Sequence, residues 1–384
     1  MNSMTRAGAL VTGGVDAHTD THDAAALDER GRLLGGRTFA TTPDGNRALL
    51  AWLESFGRLG VIGVESTGSY AAGLVRYLRS RDVETVEVNR PHAHTRRRRG
   101  KSDPIDAEMA ARQALAGHAT VVPKRTDGIV EAIRHLRLAR DSAVKARTAA
   151  FNQLTEMIVT TPDELRQHLD QRKTTRGKTA LCARLRPDLK RLHEPLHAAK
   201  LALRSLARRV AELDREILAL DERLTPLVAT AAPRTTQLLA VSTGHAGQLL
   251  ITAGQNIERL HSDGAFAALC GASPIPVSSG RRDRYRINHG GNRDANRTLH
   301  MIVVCRLRYC QRTRAYAKRR LAEGKTKREI IRCLKRYIAR ELYHALRADL
   351  ADLNLPAPPP PKRPAIAISI NCSAGPIGRT RRRA

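Results

Sequence analysis

The chain has 384 residues, and its 67 Lys+Arg against 37 Asp+Glu leave a formal net charge of +30, which calls for a polyanionic partner. Aromatics are only 3%, which argues against a single-strand binder that stacks successive bases on aromatic rings. No apolar run reaches the ~18–20 residues of a membrane span, the start lacks a basic n-region and an apolar h-region, and six cysteines without a CxxC pair argue against a zinc ribbon or a disulfide framework.

Residues 9–41 read as three short strands in a meander, the first running through Val15 into Asp16 and the next two joined by the turn Asp28-Glu-Arg-Gly31. Thr42-Pro43-Asp44 predicts a helix start, with Leu49, Leu50, Trp52, Leu53 and Phe56 as the apolar face. Leu59–Val64 is a buried-strand run ending at Glu65, Gly73–Arg79 a helix, Val83–Val88 a strand, and Asp103 to about Leu115 a helix. The order β-β-β-α-β-α-β-α is that of an RNase H-like domain.

Residues 127–230 read as helical. Leu203, Leu206, Val210, Leu213, Ile217, Leu220 and Leu224 recur at 3-4 spacing, a coiled-coil seam. Its partner is either a second copy of the chain or the stretch Ile129–Met157. Residues 231–350 read as mostly helical with Gly-rich breaks at 244–247, 271–280 and 289–291. A Pro-rich basic tail follows at 351–384, too weakly patterned to bury a core. The fold class is therefore α/β + α, in four parts: 1–122, 123–230, 231–350 and the tail.

Charge follows this division. Residues 1–90 hold 10 Arg, no Lys and 11 acids, whereas 271–345 hold 20 Lys+Arg against 5 acids. In the near-neutral part, Asp16 and Glu65 end the first and fourth strands, which are neighbours in an RNase H-like sheet. Asp103 and Asp106 lie three apart, on one face of a helix. Four such carboxylates repel unless cations neutralise them, which suits Mg²⁺, with Mn²⁺ as the alternative. Asn89, Arg90, Arg96, Arg97, Arg98, Arg99 and Lys101 precede the Asp pair, placed to hold a nucleic-acid backbone. Ser278-Ser279-Gly280 is a weak signal alone. It is strengthened by Arg281, Arg282, Arg284, Arg286, Arg293 and Arg297, and a second basic stretch carries Lys325, Lys327 and Arg328.

Gly14-Val-Asp16, Gly63-Val-Glu65-Ser-Thr-Gly-Ser-Tyr70, Val88-Asn-Arg-Pro91 and Gly100-Lys-Ser-Asp103-Pro-Ile-Asp106 resemble the insertion sequence 110 family of transposases. So do Phe266–Gly271, Pro276–Gly280, Gly290–Arg297 and Gly324–Arg336 further on. The resemblance runs from about residue 11 to 345. It implies a RuvC-like DEDD catalytic domain, a helical coiled-coil linker and a mostly helical C-terminal transposase domain. The four acids would be Asp16, Glu65, Asp103 and Asp106, and the nucleophile a serine of the Ser-Ser-Gly motif, with Ser279 preferred. It further implies double-stranded donor and target DNA, a structured bridge RNA as guide, action as a homo-oligomer (dimer or tetramer), and a cytoplasmic, nucleoid-associated location. One departure is Val241-Ser-Thr-Gly244, where relatives carry a Gly-x-Gly hairpin. The alternatives are a RuvC-type structure-specific endonuclease without a covalent intermediate and a non-catalytic nucleic-acid-binding protein.

Overall fold

The computed structural model describes residues 9–65, 67–88, 102–119, 121–277, 285–286 and 288–355. β1 (Leu10–Ala17), β2 (Thr21–Leu27) and β3 (Leu33–Ala40) form the expected antiparallel meander. Gly31 takes φ +74° in the second turn, a conformation that suits glycine. α1 (Pro43–Glu54) starts on Thr42, whose hydroxyl accepts from Gly45 N. β4 (Arg58–Val64) returns parallel to β1, and α2 (Ala72–Arg79) leads to β5 (Glu84–Glu87), parallel to β4.

The strand order β3-β2-β1-β4-β5 is the RNase H-like arrangement, with β1 and β4 side by side. On one face, Leu49, Leu53, Leu74 and Leu78 of α1 and α2 pack against Val11, Val15, Ile62 and Val64. α3 (Asp103–Leu115) covers the other face.

The region expected to be helical consists of α4 (Ile129–Thr160), α5 (Asp163–Asp170), α6 (Thr175–Cys182), a 3₁₀ turn at Leu189–Arg191 and α7 (Pro195–Ala231). The breaks have local causes. Pro162 sits just before α5, Thr174 caps α6 through Gly177 N, and Pro195 stands in the first turn of α7. α4 and α7 pack together along their length. Leu203, Val210, Ile217 and Leu224 are buried, while Leu206, Leu213 and Leu220 are half-buried. Arg140 and Arg147 of α4 bond Asp221 (3.1 Å) and Asp214 (2.8 Å) of α7. The leucine seam thus has its partner within the same chain.

α8 (Pro233–Thr236), α9 (Thr243–Ala253), α10 (Asp263–Leu269), the short pair β6 (Ile275–Pro276) and β7 (Tyr285–Arg286), α11 (Arg293–Tyr309), α12 (Gln311–Ala322) and α13 (Lys327–Leu353) complete the described chain. Phe266, Leu249, Leu299, Ile302, Leu342 and Leu346 centre a core that also takes in Val130, Ile133 and Leu224 from the ends of α4 and α7. The break expected at 244–247 is instead the first turns of α9. There Ser242 and His245 cap each other reciprocally, satisfying amides that glycine alone would leave to solvent.

Two polar devices tie this body together. Arg259 donates to Glu87 Oε2 (3.2 Å) and to Val122 O, and Lys124 Nζ donates to Ile251 O (2.9 Å). These contacts join the β5 side of the sheet to the helical region. Deeper in, Asp349 is buried and accepts from Arg234 N (3.0 Å), Thr235 N (2.9 Å) and Thr235 Oγ1 (2.7 Å). It thereby satisfies amides at the start of α8 that have no intrahelical partner. Asp349→Ala leaves three donors without their acceptor, and we expect urea unfolding to show a loss of about 3 kcal/mol.

Candidate active site

The two strands that carry the first pair of acids approach α3 through glycine. A Cβ on Gly14 would stand 2.2 Å from both Ala107 O and Ala111 N, and one on Gly63 would stand 2.5 Å from Ala110 O. On α3 the buried positions facing them are Ala107, Ala110, Ala111 and Ala114. Helix and sheet therefore meet backbone to backbone. Side chains alternate along a strand, so Asp16 and Glu65, each two residues beyond its glycine, emerge on the side that α3 covers. The ladder places them next to one another: Val15 pairs with Val64, and Glu65 N donates to Val15 O (3.0 Å). α3 begins at Asp103, so its first turn brings Asp103 and Asp106 to the same end of the sheet.

Asp16, Glu65 and Asp106 are buried, whereas the Asp103 side chain is 46% exposed. Burial holds the Asp16 carboxyl above its ordinary range; His18 opposes this, while the carboxylates of Asp106 and Asp103 push the same way as burial. His18 is the residue the sequence reading missed. Its Nε2 stands 3.2 Å from Asp16 Oδ2 and 3.3 Å from Asp103 Oδ1, yet it is a buried nitrogen without an aligned hydrogen bond. The signal was the Asp16-x-His18 spacing, which on a strand puts both side chains on one face.

Asp23, directly opposite Asp16 on β2, is also buried, but its carboxylate accepts from Thr38 Oγ1 (2.6 Å). One ligand atom from each of Asp16, His18 and Asp103 lies within 4.8 Å of the others. Mutually repelling carboxylates around a nitrogen with no aligned bond suit a divalent metal ion. The donor set fits such an ion: Asp16 and Asp103 can hold it, with His18 beside them and Asp106 adding charge.

Of the other sequence-predicted site residues, Asn89, Arg90, Arg96, Arg97, Arg98, Arg99, Lys101, Ser278, Ser279, Arg281, Arg282 and Arg284 lie outside the described residues. Arg286 is exposed on β7. Arg293 and Arg297 stand in the first turns of α11 and share a cavity with His289, His300 and Lys335. Lys325, Lys327 and Arg328 surround the start of α13, where Thr326 and Glu329 form a capping box. The structure thus brings Arg293 and Arg297 together with a lysine that the sequence reading did not single out. Among the described residues, no helix is long and apolar enough to cross a membrane.

Two family models match the chain. A DEDD-type model described as a transposase covers residues 13–161, and one described as transposase IS116/IS110/IS902 family covers residues 236–318. Together they span more than half of the chain. All four acids lie in the first match and the Ser-Ser-Gly motif in the second. The chain has no match among the curated proteins.

Proposed function

Because the chain belongs to the IS116/IS110/IS902 family of insertion-sequence transposases and so acts on DNA, we propose that it cuts and rejoins strands through a covalent serine–DNA intermediate assisted by Mg²⁺. The observation that carries this reading is the meeting of Asp16, His18 and Asp103 with Asp106 close by, at the end of two strands pinned under α3 by glycine. Asp16, Glu65, Asp103 and Asp106 form the acidic set, and Ser279 supplies the nucleophile. When bound there, Mg²⁺ supplies charge stabilisation to an in-line phosphoryl displacement.

In the serine step, the Ser279 oxygen forms a bond to phosphorus as one bond from phosphorus to a deoxyribose oxygen breaks. The hydroxyl proton passes to solvent, and the departing oxygen takes up another. The serine–phosphate ester keeps the energy of the broken bond, so a second strand's hydroxyl can reverse the exchange without an external energy source. The excess of cations over residues 271–345 supports a body that holds DNA together with a guide RNA. In that arrangement base pairing reads the sequence and the protein holds the backbones. Exposed apolar side chains on the two long helices, Leu138 of α4 at 64% and Leu218 of α7 at 60%, support association with further copies of the chain.

Trapping under denaturing conditions tests the serine. We expect wild-type protein to leave a DNA adduct that survives detergent, Ser279→Ala to leave none, and Ser278→Ala to retain it. Cleavage at the wild-type rate by Ser279→Ala would instead identify a hydrolytic, metal-dependent nuclease.

A further inference from the structure

A cavity of about 380 Å³ opens between Gly271, the segment 288–291, the first turns of α11 and one side chain of α13. Arg293, Arg297 and Lys335 line it with the imidazoles of His289 and His300, and among the described residues no carboxylate does. Its floor is made by two backbones in contact. A Cβ on Gly291 would stand 2.3 Å from Gly271 N, and Gly271 itself has φ +63°, a conformation that suits glycine, so a side chain is disfavoured at both positions.

Lys335 is the least expected of these residues. It is half-buried in α13, and its ammonium donates to Asn296 Oδ1 at 2.7 Å. Asn296 is fixed in turn, because its Nδ2 donates to Cys270 O and Gly271 O, each at 2.9 Å. The amide therefore has one orientation, and its oxygen holds the ammonium in place. A lysine has three N–H donors, so two remain for a guest. Burial lowers the Lys335 pKa, and among the described residues no carboxylate pairs with Lys335 or Arg293. Arg297 pairs with Asp294 on its own helix. A half-buried ammonium beside two guanidiniums, with a neutral amide as its partner among the described residues, suits an anion.

We propose that this cavity takes a phosphodiester group of a nucleic-acid strand, with Lys335 as the inner cation and Arg293 and Arg297 at the mouth. The guest is a phosphate because guanidiniums fork onto its oxygens while ammonium adds a point charge. It is strand-borne because the cavity sits in the most basic part of the chain. The volume is at the small end of ligand pockets, room for one nucleotide unit and not for a duplex. Arg328 and Arg332 precede Lys335 by seven and three residues on α13, the spacing of one helix face. A basic stripe therefore leads to the cavity. The inference rests on the chain acting on DNA and is independent of the serine chemistry. Lys335 lies beyond both family matches, which end at residues 161 and 318.

The test is binding of full-length protein to a labelled random-sequence duplex and to the matching single strand, over a series of KCl concentrations. Lys335→Met should weaken binding to one or both about tenfold and reduce the slope of log K against log salt by about one, as for one lost phosphate contact. Lys335→Arg should keep the slope. A second measurement uses the wild type alone: amine acetylation read by mass spectrometry, in which nucleic acid should protect Lys335. An unchanged slope in a Lys335→Met protein that still melts cooperatively overturns the proposal, and so does equal acetylation with and without nucleic acid. Protection by millimolar inorganic phosphate but by neither oligonucleotide would mark a free-anion site and also overturn it. Failure of the wild type to bind either oligonucleotide would strike at the DNA-acting reading instead, so the two failures are distinguishable.

Discussion

Asp16→Asn should abolish strand cleavage while leaving the protein as stable as before or more so. The charge is being removed from a site where burial and the carboxylates of Asp106 and Asp103 already disfavour it, so in the absence of metal its loss relieves repulsion. With metal, the same substitution deletes a negatively charged oxygen ligand. A divalent ion contributes several kcal/mol of transition-state stabilisation, and each 1.36 kcal/mol is a factor of ten, so cleavage should fall by about 10³-fold or more. Two measurements check this. Cleavage of a plasmid carrying the element's junction should be lost. In thermal melting, MgCl₂ should raise the wild-type midpoint and leave that of Asp16→Asn in place, since only a protein that binds the ion gains stability from it. Full cleavage by the variant, or a midpoint several degrees below wild type without metal, would show that Asp16 is structural.

Gly14→Ala should be the most damaging single methyl group that can be added to the sheet. Its Cβ would stand 2.2 Å from two backbone atoms of α3, and a helix backbone cannot swing aside as a side chain can. Either α3 lifts away or the strand bends, and both open the packing around Ala107 and Ala111. Overpacking of this kind costs about 3 kcal/mol or more. Gly73→Ala in α2 is the matched control: nothing lies within 4 Å of its added Cβ, and replacing a helix glycine should stabilise by about 0.5–1 kcal/mol. Urea titration of both variants reads the contrast. Because α3 carries Asp103 and Asp106, Gly14→Ala should also lower cleavage beyond what its unfolded fraction explains.

Much of the sheet was legible because each element carries its own local signal. The meander turn at Asp28–Gly31, the Thr42-Pro43 helix start and the apolar run into Glu65 depend on near neighbours in sequence, and all three appear where expected. The positions of the acids were legible for the same reason, each standing at the end of a strand or in the first turn of a helix. What could not be read was which surfaces meet. Gly14, Gly63 and the alanines of α3 are plain in the sequence, but nothing local says that they touch.

His18 escaped because a single histidine near a strand end gains meaning only when Asp103, 85 positions away, stands beside it. The two short helices after Pro162 and Thr174 were not placed, since the leucine spacing of α7 is a stronger signal than either. Lys335 was invisible for a related reason. In a helix as basic as α13, periodicity cannot tell a lysine in solvent from one turned into a cavity, and Asn296 on another helix makes the difference.

The contact between α3 and the sheet also bears on how freely this protein can change. The approach of α3, which carries Asp103 and Asp106, to the strands that end at Asp16 and Glu65 is set where Gly14 and Gly63 rest on helix backbone. Two residues with no side chain thus constrain acids far from them in sequence, because any added atom is transmitted through the helix backbone. The acids can therefore be misplaced by a change at a position that carries no chemistry of its own.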